Sequence, residues 1–299
     1  MISKNQMLIK EGLMVSIVIP TLNRSLAIQK LINSFTNINW NETEIIVVDD
    51  SIDSFENDLN KIKDRNINYI HRGKKLGVSS ARNIGAKIAK GKYIIFLDDD
   101  DDITESWFSD FSNEIVKDYD LVFCDMKRID KNIPNGLVVK PTDKKFGAMG
   151  NAIVIPGAFM VKKSIFNKVG GYDERLLYAE NTELFFRINK LNPSRFFIDN
   201  VNFIYYPSED GGSKNLMNMI DSNKIILEKH DDWLSDKMKY TYNQIIAVNY
   251  TRFGDQKNAA HHFRKAIKYN PFKFGTYIRF LISKSSFFRS FFYKLNFRK

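Results

Sequence analysis

The chain opens on a repeated alternation of apolar runs and helical patterns. VSIVIP (15–20) is β-branched, continuously apolar and ends at a proline. SLAIQKLINSF follows, with Leu31, Ile32 and Phe35 at helical spacing. EIIVVDD (44–50), INYIH (67–71), YIIFLD (93–98) and LVFCD (121–125) predict further strands. Between them, SSARNIGAKIAKG carries Ala81, Ile84 and Ile88 on one helical face, with Gly91 as a stop. TESWFSDFSNEIVKDY places Trp107, Phe111 and Ile115 four residues apart and predicts another helix. Strands alternating with helices predict an α/β fold with a mostly parallel central sheet covered on both faces. Past residue 130 the rhythm breaks. KNIPNGLVVKPTDKKFGAMG reads as loop, followed by the compact segment PGAFMVKKSIFNKVGGYDERL and a helix NTELFFRINKL. Two short strands, RFFI and FIYY, come next, then a linker SEDGGSKN (208–215), and everything beyond reads as helix.

Composition narrows this picture. The 299 residues are 43% hydrophobic, enough for one large domain or a domain with an appendage. No apolar run is long enough to span a bilayer. The start, MISKNQMLIKEGLMVS, lacks the apolar core of a signal peptide, so a cytoplasmic location is expected. A single cysteine, Cys124, excludes an internal disulfide framework and fits a reducing compartment. No His/Cys cluster has zinc-site spacing. The formal net charge is +10, and residues 255–299 hold eleven Lys/Arg against one acid, Asp255. The excess therefore sits in the tail, which suggests a local contact surface rather than a nucleic-acid-binding body.

FLDDDDD (96–102) concentrates five aspartates behind a buried strand. If the chain stays extended, Asp98 and Asp100 share one side and Asp99 faces the other. Two carboxylates at a strand end form a hard oxygen site suited to Mg²⁺ or Mn²⁺, with substrate phosphates completing the shell. Without a cation, crowding should raise some of these carboxyl pKa values. Asp101 and Asp102 read instead as solvated residues ahead of a helix. In α/β sheets ligands collect outside the carboxyl ends of strands, where this run and the acids of VVDD both lie.

VSIVIPTLNR (15–24), EIIVVDDS (44–51), GVSSARNIGAKIAKGKYIIFLDDDD (77–101) and VGGYDERLLYAENTELFFRI (169–188) together resemble glycosyltransferase family 2, whose members have the GT-A nucleotide-sugar fold. The resemblance covers roughly residues 14–206. It implies a GT-A catalytic domain over 14–210, after an extension of 13 residues and ahead of a helical region at 211–299. It also implies roles. Thr21 to Arg24 would lie along the nucleotide, and Asp50 would accept a hydrogen bond from the base. Arg82 would neutralise phosphate charge. Asp98 would contact donor ribose or sugar, with Asp99 beside it, and Asp98 and Asp100 would hold Mn²⁺ or Mg²⁺. Plainer readings stand beside these: Asp49 as a strand-end cap, Arg82 as a surface helix arginine, Gly170 and Gly171 as turn residues.

Two departures from the family pattern matter. Many inverting members carry a Glu-Asp pair whose Asp deprotonates the acceptor hydroxyl. Here the pair is Glu180-Asn181, and an amide is no base. Glu180 is the favoured base, with inversion. Glu183 is an alternative, and ENTELFFR also resembles the ENxE helix start of retaining polypeptide N-acetylgalactosaminyltransferases. A structural reading makes Asn181 a helix N-cap with Glu183 in a capping arrangement. Second, many relatives place a histidine after the FIYY strand. This chain has YYPSEDGGS, where Glu209 or Asp210 would have to substitute.

NQIIAVNYTRFGDQKNAAHHFRKAIKYNP (243–271) resembles one tetratricopeptide hairpin, with Tyr250, Gly254, Ala259, Phe263, Ala266 and Pro271 at that repeat's spacing. One copy cannot bury its own face. His261 and His262 read as surface or packing residues. The last stretch interleaves Phe287, Phe288, Phe291 and Phe292 with Arg289, Lys294 and Arg298, as expected for a helix on an anionic membrane surface at the inner face of the cell membrane, or for a packed or oligomer contact. The leading expectation is a metal-dependent glycosyltransferase moving a sugar, from a UDP-sugar above others, to a hydroxyl of a surface glycan or lipid-linked acceptor. The alternatives are a sugar nucleotidyltransferase, for which PTLNR offers no glycine-rich loop, and a non-catalytic nucleotide-binding scaffold.

Overall fold

The structure, a computed structural model, describes residues 14–35, 38–59, 66–142, 154–207 and 215–293. The chain divides into two compact units. One comprises the described residues up to Tyr172 together with Leu184–Pro207; the other comprises Asp173–Glu183 and the described residues beyond 214. The proposed N-terminal extension, Glu209 and Asp210, and Lys294 and Arg298 lie outside the described residues.

The first unit runs β1 (Val15–Thr21), α1 (Ser25–Ser34), β2 (Thr43–Asp49), α2 (Glu56–Leu59), β3 (Ile67–His71), α3 (Val78–Ile88), β4 (Tyr93–Phe96), β5 (Asp102–Ile103), α4 (Trp107–Ile115), β6 (Leu121–Asp130), β7 (Ile133–Val139), β8 (Phe159–Lys162), α5 (Lys163–Lys168), α6 (Glu180–Asn189) and β9 (Arg195–Tyr205). The dividing line between the units falls inside α6, after Glu183. The strands form a nine-stranded sheet in the order β3-β2-β1-β4-β8-β6-β9-β5, with β7 on the side of β6. The α/β architecture is the expected one. Its parallel half is β3-β2-β1-β4, and β8 then enters antiparallel to both β4 and β6.

Both faces of the sheet are covered at β1, β2 and β4, so these strands read as apolar runs rather than alternating ones. Ile17, Ile19, Ile45, Val47 and Ile95 face α1 and α4, whose Ile28, Leu31, Ile32, Trp107 and Phe111 complete one core. Their neighbours Val18, Ile46, Val48, Ile94 and Phe96 point the other way and pack with Ala81 and Ala86 of α3 and Leu184, Phe185 and Ile188 of α6. α3 lies tightly on β1 at Gly85, where a Cβ would stand 2.3 Å from a methyl of Val18. That close approach brings Arg82, one turn earlier, to the carboxyl end of the sheet.

Three expectations are corrected locally. KNIPNGLVVK is not loop throughout: β7 pairs with β6 as a hairpin. RFFI and FIYY are one strand, β9, whose register against β6 shifts around Asp125. The extended geometry assumed for residues 96–100 ends at Phe96, and the chain turns at Asp99 and Asp100.

The second unit carries α7 (Leu216–Lys229), α8 (Asp236–Phe253), α9 (Gln256–Tyr269), α10 (Phe274–Lys284) and α11 (Ser286–Phe292). α8 and α9 form the expected hairpin. Gly254 closes it in the left-handed region (φ +79°), and the Asp255 side chain caps α9 by accepting from the Asn258 amide at 3.0 Å. Tyr250, Ala259 and Phe263 are buried with Ile220 of α7, and Phe280 of α10 packs alongside. The missing repeats are thus replaced by α7 and α10. His262 is buried, donating from Nδ1 to Asn243 Oδ1 at 2.9 Å and stacking on Tyr250. Burial and nearby positive charge pull its pKa down to about 4. The unfolded chain therefore takes up a proton near pH 6.5 that the folded one refuses. Stability of this unit is expected to fall as pH drops from about 6.5 to about 4, by roughly 1–3 kcal/mol. Urea titrations across that range check it, and His262→Gln should flatten the profile.

Candidate active site

The site is built on the carboxyl ends of β1, β2 and β4, three neighbouring parallel strands. Apolar burial fixes each strand up to its last residue, and the polar residues that follow emerge together. From β1 come Thr21 and, at the start of α1, Arg24. From β2 come Asp49 and Asp50. From β4 comes the acidic run, and from the first turns of α3 comes Arg82.

The aspartates of the run divide into two kinds. Asp99 and Asp101 are buried, whereas the side chains of Asp98 and Asp100 keep 30% and 50% of their exposure. Asp99 accepts the Thr21 hydroxyl at 2.6 Å and Arg24 Nη1 at 2.7 Å. The same Nη1 reaches Asp100 Oδ2 at 2.7 Å, so one guanidinium bridges two neighbouring carboxylates. The hydrogen bond to Asp100, with further help from Asp99, raises the Arg24 pKa. Burial raises the pKa of Asp99, against the opposing pull of Thr21 and Arg24. Asp98 pairs with Arg82 Nη2 at 2.6 Å. Arg82 is almost wholly buried and lies 5.3 Å from the centre of the Tyr172 ring, so it is no surface helix arginine. Asp101 departs furthest from expectation. It is not solvated: burial first, then the charges of Asp98 and Asp100, push its carboxyl up to about 9.

Asp50, the expected contact for a base, is held by protein groups. Its Oδ1 pairs with Arg72, and its Oδ2 accepts the amides of Leu76 and Gly77 at 2.8 and 3.0 Å. A carboxylate has about four acceptor positions, and Arg72 Nε and Nη2 with the two amides are four donors to them. Asp50 thereby shapes the segment that leads into α3. Asp49 is a strand-end organiser, accepting the Ser51 amide at 2.8 Å and the Tyr69 hydroxyl at 2.5 Å. Gly170 and Gly171 both have positive φ and serve the expected turn.

The helix-start acids belong to the second unit. α6 begins at Glu180, so Asn181 lies inside the first turn and is not an N-cap; its amide donates to Glu180 Oε1 at 3.1 Å. Ala179 just before has φ +57°, a left-handed conformation costing a non-glycine residue about 1–2 kcal/mol. Glu183 is fully buried, and its Oε1 accepts Lys229 Nζ and His230 Nε2, each at 2.9 Å. Lys229 also reaches Asp173, held at low pKa first by its bond to Arg175. Glu183 is therefore the centre of a structural ion network, and Glu180 is the half-buried carboxylate of the pair.

Sequence reasoning did not single out Arg72, Lys229 or His230. Arg72 had a usable signal, since it follows INYIH at a strand's carboxyl end as Asp50 follows EIIVVD. The Lys229–His230 pair had none, because its meeting with Glu183 is purely tertiary.

A family model described as "Glycosyl transferase family 2" matches residues 16–170. Among curated proteins, the chain is 32% identical over 112 residues to a Campylobacter jejuni GalNAc(5)-diNAcBac-PP-undecaprenol beta-1,3-glucosyltransferase, covering 36% of this chain and 36% of that one. It is 42% identical over 89 residues to the Escherichia coli UDP-Glc:alpha-D-GlcNAc-diphosphoundecaprenol beta-1,3-glucosyltransferase WfaP, covering 29% and 36%. The matches thus span about a third of the length of each of these two relatives. Among solved structures, S. aureus TarS 1-349 superposes with a TM-score of 0.62 at 17% identity, covering 93% of this chain and 90% of TarS 1-349. The same protein in complex with UDP-GlcNAc gives 0.56 at 18% identity, covering 91% and 79%. These likenesses show the fold.

Proposed function

The chain belongs to glycosyltransferase family 2, and on that premise we propose that it moves a sugar from a UDP-sugar to a hydroxyl of a surface glycan or lipid-linked acceptor, with inversion. The observation that carries this reading is the meeting of Asp98, Asp99 and Asp100 with Arg24 and Arg82 at the carboxyl ends of β1 and β4. Alternating positive and negative side chains of this kind suit a diphosphate accompanied by a cation. The names of the two undecaprenol-linked glucosyltransferases support the lipid-linked acceptor, and the UDP-GlcNAc complex of TarS supports the donor class.

The donor set fits a divalent ion. No group of three or more His, Cys, Asp or Glu forms a metal cage among the described residues. Mg²⁺ and Mn²⁺ need none, since one or two carboxylates with substrate phosphates and water suffice. Among residues 98–101, Asp98 and Asp100 are the accessible carboxylates, and their charges add to burial in raising the pKa of Asp101. They are the residues proposed to hold the ion, which when bound supplies Lewis acidity to the departing nucleoside diphosphate. Asp99 positions Thr21 and Arg24 along the nucleotide. Arg82 places a fixed positive charge toward phosphate, and Asp50 orders the approach to α3. Glu180 is the proposed base that takes the acceptor proton, since Asn181 has no basic lone pair and Glu183 is enclosed by Lys229 and His230. Backbone strain at Ala179 agrees with a functional position beside it.

The test is a donor-consumption screen over UDP-sugars and other nucleotide sugars, with Mn²⁺, Mg²⁺ or chelator. Consumption of one UDP-sugar only with added metal is expected. Nucleotide binding with no donor consumed under any condition would favour the scaffold reading instead.

A further inference from the structure

α10 packs one aromatic, Phe280, on the core of its unit but leaves most of its apolar side chains outside. Its buried face carries Thr276 and Ser283, at 1% and 0% exposure, while Phe274, Ile278 and Leu281 on the opposite face are 59–77% exposed. A helix in a water-soluble unit ordinarily buries its apolar stripe. The orientation of α10 is held by hydrogen bonds to α8. Gln244 Nε2 donates to Thr276 Oγ1 and, at 3.0 Å, to the Tyr240 hydroxyl. The Tyr240 hydroxyl meets Thr276 Oγ1 at 3.0 Å, and Arg279 Nη1 donates to Gln244 Oε1 at 2.9 Å. Rolling α10 to hide its apolar face would leave these half-buried polar groups unsatisfied. The surface continues onto α11, where Phe287, Phe288, Phe291 and Phe292 are 49–77% exposed, and Phe272 ahead of α10 is 83% exposed. Such a concentration of exposed aromatic and aliphatic side chains marks a contact surface.

Charge identifies what covers it. Exposed Lys273, Arg279 and Lys284 border the apolar positions, Lys284 Nζ sits 4.6 Å from the Phe280 ring centre, and residues 256–299 contain no acid at all. A second copy docking by a two-fold axis would set this basic face against itself. An anionic headgroup layer complements it. No helix among the described residues is long and apolar enough to cross a membrane.

We infer that α10 and α11 form a docking surface that lies in the headgroup boundary of an anionic bilayer, their apolar side chains inserted and their cations on lipid phosphates. The orientation is set by the Tyr240–Thr276–Gln244–Arg279 network rather than induced by lipid. This inference stands apart from the sugar-transfer reading, and the experiment separates them.

The full chain is floated with phosphatidylcholine vesicles with and without phosphatidylglycerol, at low and high salt. Binding to the phosphatidylglycerol vesicles, weakened by salt, is expected. The combined variant Leu281→Ser, Phe287→Ser and Phe291→Ser should bind at least about tenfold less, with unchanged helical circular dichroism because these side chains are exposed. A second variant, Lys273→Glu with Lys284→Glu, should lose the preference for phosphatidylglycerol. Donor consumption in detergent-free solution should be unaffected by either. Absence of flotation with both vesicle types, unaltered flotation of the serine variant, or a dimer in sedimentation equilibrium that the serine variant dissolves would each overturn the inference.

Discussion

Asp100→Asn is expected to cut donor turnover by about a thousandfold, the scale of removing a metal's stabilisation of the leaving group, while leaving the melting temperature nearly unchanged. The two effects separate because of where Asp100 sits. Its side chain is half exposed, and its ion pair with Arg24 involves a guanidinium 47% exposed. A pair so open to water contributes only about 0–1 kcal/mol to stability. The substitution keeps the shape of the side chain and removes the charge that a divalent ion would need. Asp99→Asn is the contrasting control: it disturbs a buried carboxylate holding Thr21 and Arg24 and should lower stability as well as rate. Donor-consumption rates at saturating Mn²⁺, read beside thermal melts, check both. Wild-type turnover in Asp100→Asn would remove Asp100 from the proposed metal site.

The second large effect distinguishes two glutamates one helical turn apart. Glu180→Gln is expected to lower kcat by about 10²–10⁴-fold, the usual worth of a general base, with little change in stability. Glu183→Gln is expected to do the reverse. Glu183 is fully buried and is the carboxylate for both Lys229 and His230, so neutralising it destabilises the chain by about 3 kcal/mol. Thermal denaturation and donor turnover on the two variants give opposite patterns if the assignment holds. Equal loss of turnover in both, with no loss of stability in Glu183→Gln, would transfer the base role to Glu183.

The parallel half of the sheet was legible in the sequence because β1, β2 and β4 are buried along their whole length and read as apolar runs, while α1 and α4 keep apolar stripes. β7 was not, since IPNGLVV has a proline, a glycine and exposed side chains, and is a strand only by virtue of pairing with β6. β9 read as two strands because Asp199 and Asn200 interrupt its apolar pattern close to where the pairing register slips. At the site, residue types and their place at strand ends could be read directly. Which aspartates are buried could not, because that depends on a turn at Asp99 that charge alone does not announce. Nor could the partners: Arg72 meets Asp50 from 22 positions away, and Lys229 meets Glu183 from 46, through packing that no local pattern encodes.

Arg24 gives the strand end a cation of its own. Asp100, if it holds a divalent ion as proposed, would have to share or release the guanidinium that already occupies one of its oxygens. The resting protein is thereby spared much of the repulsion that five successive aspartates would otherwise impose. A guanidinium released by Asp100 would still be tethered through Asp99, a positive charge kept at the strand end for a bound anion.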